Sequence, residues 1–245
     1  FNQNYYTGNG QYQNNGSCQT ANSMALVTGL CEPENEPAVL GAILADLKAR
    51  GYQQTAGDVG FHYLMEALGR YGCSETVNKI LSRRDEGSYG SVIDWGWTAL
   101  PEAWNANTSA SMNHCMLGHA QQWFYMDLLG IRQTEDSVAF KKIVIKPAFE
   151  TGVEWARGHY DSVNGRIRVD WKQTNEEVNL SVTVPANTTA TVYVPADAEA
   201  NVTESGKPIA QVESVTFLRM EEGAAVFAVT SGTYDFSATM KSQER

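Results

Sequence analysis

Between Ser88 and Tyr125 the chain reads SYGSVIDWGWTALPEAWNANTSASMNHCMLGHAQQWFY, and four of its six tryptophans fall there: Trp95, Trp97, Trp104 and Trp123. Two carboxylates, Asp94 and Glu102, sit among these rings rather than in a run of charge. Two of the four histidines, His114 and His119, follow closely. Aromatic walls with isolated carboxylates suit a sugar: an indole covers the apolar face of a pyranose, while carboxylate, amide and imidazole groups take its hydroxyls. A glycosidase needs two carboxyl groups, one to protonate the leaving oxygen and one to act on water or on the anomeric carbon. Plainer readings of the same residues stand beside this one. Tryptophans in a helical region can simply pack a helix junction. A glutamate after Pro101 suits the first turn of a helix for dipole reasons alone. His114 beside Asn113 suits a hydrogen-bonded cap.

Other chemistries find little support. Gly8-Asn9-Gly10 lacks the third glycine and the preceding strand of a dinucleotide loop, and no P-loop, HExxH or GxSxG motif occurs. His114 and His119, five apart, would fall on different faces of an α-helix, with no ligand at metal spacing. Cys18, Cys31, Cys73 and Cys115 lie in or beside helical patterns without a CxxC pair, which reads as buried free thiols. No cofactor and no metal is expected.

The elements that must position these residues change character near residue 140. Before it, apolar residues recur at helical spacing in five stretches: Thr20–Leu30, Ala38–Ala49, a third capped by Asp58 and running to Tyr71, a short fourth over Ser74–Leu81, and a fifth over Asn113–Leu129. Gly51, Gly72 and Gly130 close three of them. After residue 140 the period is two, as in Ile143/Ile145, Ile167/Val169/Trp171, Val178/Leu180/Val182/Val184 and Ala190/Val192/Val194, with the turn pair Asn164-Gly165 between runs. An all-helical region of residues 1–140 therefore leads into an all-β region of residues 141–245, an α-then-β, multidomain architecture. The 245 residues, 42% of them hydrophobic, supply ample core, and a net charge of -10 argues against nucleic acid or an anionic membrane as partner.

Three stretches carry a family resemblance. GSCQTANSMALVTGL (Gly16–Leu30) is similar to a helix that opens with a Gln-Thr pair in the bacterial α-L-rhamnosidases, glycoside hydrolases built on a six-hairpin helical barrel. YGSVIDWGWTALPEAW (Tyr89–Trp104) is similar to that family's stretch ending Thr-Thr-Leu-Trp-Glu-Arg-Trp, and SMNHCMLGHAQQWFYMDLLG (Ser111–Gly130) resembles its Ser-Phe-Asn-His helix. The region from KKIVIKPAF onward resembles the small sandwich that closes these enzymes. The resemblance implies a partial (α/α)6 helical barrel followed by an antiparallel β-sandwich. By it, Glu102 matches the general base of an inverting hydrolysis and His114 a histidine that hydrogen-bonds the sugar, with Trp97, Trp104 and Asn113 as candidate pocket walls. Pro101 and Ala103 depart from the family's tryptophan and arginine.

Six hairpins need twelve helices, against the five read above, and the resembling enzymes carry their general acid upstream of the stretch matched here. The expectation is thus a fragment of a glycoside hydrolase that removes terminal α-L-rhamnose, inactive by itself, whose partners are a rhamnose-containing glycan or glycoside and the remainder of its barrel. The compartment is not legible in the residues; the resemblance implies a bacterial periplasm or cytoplasm. Two rivals remain. One is another helical-barrel glycosidase; Ser88–Tyr125 holds no Arg or Lys to meet a uronate, so a neutral sugar is favoured. The other is a non-catalytic carbohydrate-binding module.

Overall fold

A computed structural model describes residues 1–12, 18–105, 110–149 and 151–239. Gly16 and Ser17 of the first motif lie outside the described residues. The chain forms two compact units, Phe1–Trp123 and Phe124–Arg245. This division falls ahead of residue 140, because a strand at Ile131–Gln133 is too short to announce itself by alternation.

The first unit is helical: α1 (Asn2–Tyr5), α2 (Gln19–Val27), α3 (Glu36–Ala49), α4 (Asp58–Arg70), α5 (Ser74–Leu81), α6 (Tyr89–Asp94) and α7 (Ala120–Trp123). α2 packs on α3 and α4, and α4 on α5 and α7. Val39, Ile43 and Leu47 of α3, and Phe61, Leu64 and Leu68 of α4, recur at three- and four-residue spacing and are wholly buried. Each such side chain contributes about 1.5–3 kcal/mol of transfer free energy. Acidic residues open α3 and α4, and Lys48 and Arg70 close them, complementing the helix dipole.

The core of this unit also holds polar side chains that read the backbone of neighbouring loops. Asn22 accepts the Tyr12 N–H at 3.0 Å and donates to the Gly10 and Val39 carbonyls at 2.8 and 3.2 Å. Gln19 accepts from Thr55 N–H at 2.7 Å and donates to Asp46 at 2.8 Å. Gly10 has φ +71°, and a Cβ there would overlap the Ala38 carbonyl, so the approach of the N-terminal loop to α3 requires glycine.

Three sequence expectations change here. Asn113–Leu129 is not one α-helix but a 3₁₀ turn over Cys115–His119, then α7, then a π-helical turn over Phe124–Leu128. Gly57, not Asp58, is the cap of α4, and Asp58 is its first residue. Of the cysteines only Cys18 and Cys31 are buried; Cys73 is half-buried and Cys115 exposed, all four as thiols. The short helix α6, started by a Ser88–Ser91 capping box, had too few periodic residues to be read from sequence.

The second unit is a two-sheet sandwich. One sheet has the order β1-β2-β6-β10-β9 and the other β3-β4-β5-β11-β7-β8. These are β1 (Ile131–Gln133), β2 (Lys142–Ile145), β3 (Trp155–Ser162), β4 (Gly165–Gln173), β5 (Glu177–Val184), β6 (Thr189–Pro195), β7 (Val202–Glu204), β8 (Lys207–Pro208), β9 (Val215–Glu221), β10 (Ala224–Val229) and β11 (Gly232–Thr239). The alternating residues named above all point into the shared core, where Phe227 of one sheet stacks on Phe236 of the other at 5.7 Å. Trp171 is fully buried, meets Phe149 edge-on at 5.2 Å and donates its ring N–H to the Leu128 carbonyl at 2.8 Å. Asn164-Gly165 turns β3 into β4 as expected. Among the described residues the sandwich departs from a purely antiparallel one at a single pairing, β2 with β6, which is parallel. β3 escaped the sequence reading because it is an edge strand: Trp155, Arg157, His159 and Asp161 do not alternate with an apolar set, and only Ala156 is buried.

Candidate active site

Glu102 lies in a bend, not in the first turn of a helix, so the dipole explanation of a glutamate after Pro101 does not hold. Its backbone N–H donates to the Ser111 carbonyl at 2.9 Å, and its Oε2 accepts the Ser111 N–H at 3.3 Å. Three residues on, the His114 N–H donates to the Leu100 carbonyl at 2.9 Å. Leu100–Glu102 and Ser111–His114 are thereby laced side by side, which fixes the backbones carrying Glu102 and His114 in one local frame. Glu102 is exposed.

His114 precedes the 3₁₀ turn with extended backbone and makes no cap bond. Its Nε2 faces Asp58 Oδ2 at 3.6 Å. At the far end of the turn His119 lies against His62, ring centres 4.8 Å apart. Both histidines thus meet α4, correcting the expectation that they face apart; that expectation assumed α-helical geometry, whereas the connecting turn is 3₁₀ and His114 lies outside it. Burial, followed by the neighbouring His62, holds the His119 imidazole below its ordinary pKa.

Trp104 is placed by several groups at once. Its ring N–H donates to the Ala56 carbonyl at 3.1 Å, and it meets Phe61 and Tyr89 edge-on at 5.3 and 5.2 Å. Tyr89 donates its hydroxyl to the Leu117 carbonyl, tying α6 to the 3₁₀ turn, and burial pushes its pKa well up. Gln53 and Gln54 donate to the Glu86 and Gly87 carbonyls, bracing the loop ahead of α4 against the loop ahead of α6. Trp97 is half-buried and tilted against the exposed Trp95 at 4.7 Å. Asn113 is exposed beside His114.

Asp94 is ion-paired with Arg84, an arginine just outside the segment read as free of cations. Asp94 is therefore neutralised by a partner rather than set among rings. Among the described residues no three His, Cys, Asp or Glu side chains group to hold a metal ion. Sequence reasoning missed Asp58 as a neighbour of His114 because it was read as a cap. The available signal was Asp58, His62 and Glu66 at spacing four, one stripe on the helix.

Residues 1–128 match the family model for the bacterial α-L-rhamnosidase 6 hairpin glycosidase domain, and residues 130–208 match that for the bacterial α-L-rhamnosidase C-terminal domain. The chain belongs to the bacterial α-L-rhamnosidase family. It is 29% identical over 231 residues to an α-L-rhamnosidase of Streptomyces avermitilis, covering 91% of this chain and 22% of that one. It is 24% identical over 245 residues to one from Formosa agariphila, covering 96% of this chain and 26% of the relative. The crystal structure of the Streptomyces avermitilis α-L-rhamnosidase complexed with L-rhamnose superposes with a TM-score of 0.85 at 27% identity, over 97% of this chain and 23% of that one. The α-L-rhamnosidase from Dictyoglumus thermophilum gives the same score and identity, over 98% and 27%. This rhamnosidase-family chain spans about a quarter of the length of those relatives. Its helical unit corresponds to part of a six-hairpin domain and its sandwich to the C-terminal domain.

Proposed function

We propose that this chain carries the water-activating side of an inverting α-L-rhamnosidase site, with Glu102 as general base and His114, Asn113, Trp97 and Trp104 around the sugar. The observation that carries the reading is the lacing of Leu100–Glu102 to Ser111–His114. It holds a carboxylate and an imidazole in one frame, on a family match that spans both. In the reaction, a water accepted by Glu102 gives up one proton to Oε1 or Oε2 as its oxygen attacks the anomeric carbon. The bond to the glycosidic oxygen breaks on the opposite face, and a carboxylic acid supplied by the rest of the enzyme protonates that oxygen. Inversion needs the two carboxyl groups roughly 6.5–9.5 Å apart, leaving room for the water. The Ser111 N–H at Oε2 helps to hold the carboxyl group in place. The substrate class is a terminal α-L-rhamnoside of a glycan or glycoside.

Two measurements on the enzyme containing this chain test the proposal. Glu102→Gln should lower kcat by about 10²–10⁴-fold with an unchanged melting temperature; near-normal turnover would remove Glu102 from the mechanism. Proton NMR of an aryl α-L-rhamnoside digest should show the β-anomer of rhamnose first. Initial release of the α-anomer would exclude inversion, and hydrolysis of other neutral aryl glycosides in preference to the rhamnoside would move the reading to a different sugar.

A further inference from the structure

The side of α4 that meets the 3₁₀ turn presents Asp58 and His62 one turn apart, and these meet His114 and His119 respectively. His62 is in turn paired with Glu66 at 3.2 Å, and Glu66 with Arg70. Residues 114–119 are therefore registered along the helix at two points, and the first of them carries the imidazole proposed above to touch the sugar. Asp58 is itself fixed. Its Oδ1 accepts the Val59 N–H at 2.8 Å in the opening turn of α4, where the helix dipole favours the anion, and its Oδ2 is the atom that faces His114 Nε2 at 3.6 Å.

We infer that Asp58 is a positioning residue for His114: its carboxylate takes the Nε2 edge of the imidazole, so that the ring is held in one orientation with its Nδ1 edge left for a sugar hydroxyl. A neutral imidazole has one N–H and one lone pair, and a carboxylate on the Nε2 edge can only accept. An N–H on Nε2, turned toward the carboxylate, leaves the Nδ1 lone pair as the acceptor for a hydroxyl proton. Among the described residues Asp58 is the side chain recorded against that edge, so it selects the ring flip and the tautomer. His62 and Glu66 cannot replace it, since the first is engaged with His119 and Glu66 and the second with His62 and Arg70.

This inference rests on the reading of His114 as a sugar contact, and a double-mutant cycle separates the two. In the enzyme containing this chain, His114→Gln and Asp58→Ala should each lower kcat/KM on an aryl α-L-rhamnoside by roughly ten- to a hundred-fold, the scale of a misplaced binding group, mostly through KM. The double variant should be no worse than His114→Gln alone, because Asp58 acts only through the ring. Asp58→Glu and Asp58→Asn, which keep an acceptor, should recover part of the loss, with melting temperatures recorded for each variant. Losses that multiply in the double variant, or no rescue by either acceptor at unchanged stability, would overturn the positioning role. If His114→Gln leaves KM unchanged, the sugar-contact reading falls, and with it the route by which Asp58 would act. An Asp58→Ala chain that fails to fold leaves Asp58→Asn to carry the cycle.

Discussion

Trp104, proposed above as a wall beside the sugar, is held as a peg. Its indole N–H is bonded to the carbonyl of Ala56, a wholly buried residue, and its edges are shared by Phe61 and Tyr89. Trp104→Phe keeps a ring against both neighbours but orphans the carbonyl. It should therefore destabilise the helical unit by about 1–3 kcal/mol in urea titrations. If the indole is chiefly a peg, KM of the enzyme at a temperature well below the transition should change little, and a large rise in KM would make the wall dominant. At this scale the sequence was informative about types and poor about neighbours. The crowding of tryptophan, carboxylate and histidine in Ser88–Tyr125 was visible directly. The pairing of Asp94 with Arg84, and of His114 with Asp58, depends on approaches across 10 and 56 residues that no local period reveals.

The segment from His114 to Leu128 is the element where sequence reasoning misjudged most. Apolar spacing there resembles that of a helix, yet the chain passes through 3₁₀, α and π geometry in turn. Periodicity sees only which residues are apolar; the pull of α4 on His114 and His119, and of Ser74 on the Trp123 ring N–H, sets the local pitch. By contrast α3, α4 and α5 were legible nearly to the residue, because each has an amphipathic face and a charge or glycine at its end. The His62–His119 contact gives this element a pH signature. Since His119 is held below its ordinary value in the fold, the neutral form is the one the fold prefers. Its stabilisation is full above the usual histidine range of about 6.5 and is lost as the pH falls through that value toward the lowered one. Plotted from pH 8 to 5, the melting temperature of His119→Gln should fall less steeply than that of the unmodified chain. Parallel curves would mean that His119 titrates alike folded and unfolded.

For the molecule as a whole, the alternation of the β half foretold a sandwich and the periodicity of the first half foretold a helical unit, and both are present. What alternation cannot report is order in the sheet, so the parallel β2–β6 pair and the edge position of β3 emerged only from the structure. Because the chain covers about a quarter of its relatives' length, its 245 residues by themselves should hydrolyse an aryl α-L-rhamnoside slowly or not at all. Brisk, saturable turnover by the isolated chain would mean that both carboxyl groups of the reaction lie within it. One feature of the helical unit bears on time rather than on turnover. Asn22 closes three backbone hydrogen bonds from a wholly buried position, and Gln19, equally buried, bonds both ends of its amide to α3 and to the loop ahead of α4. As copies of this gene diverge, a change at either position strands several polar groups at once, whereas an exposed side chain such as Trp95 can be exchanged at little cost. These two amides are therefore expected to endure as marks of common descent.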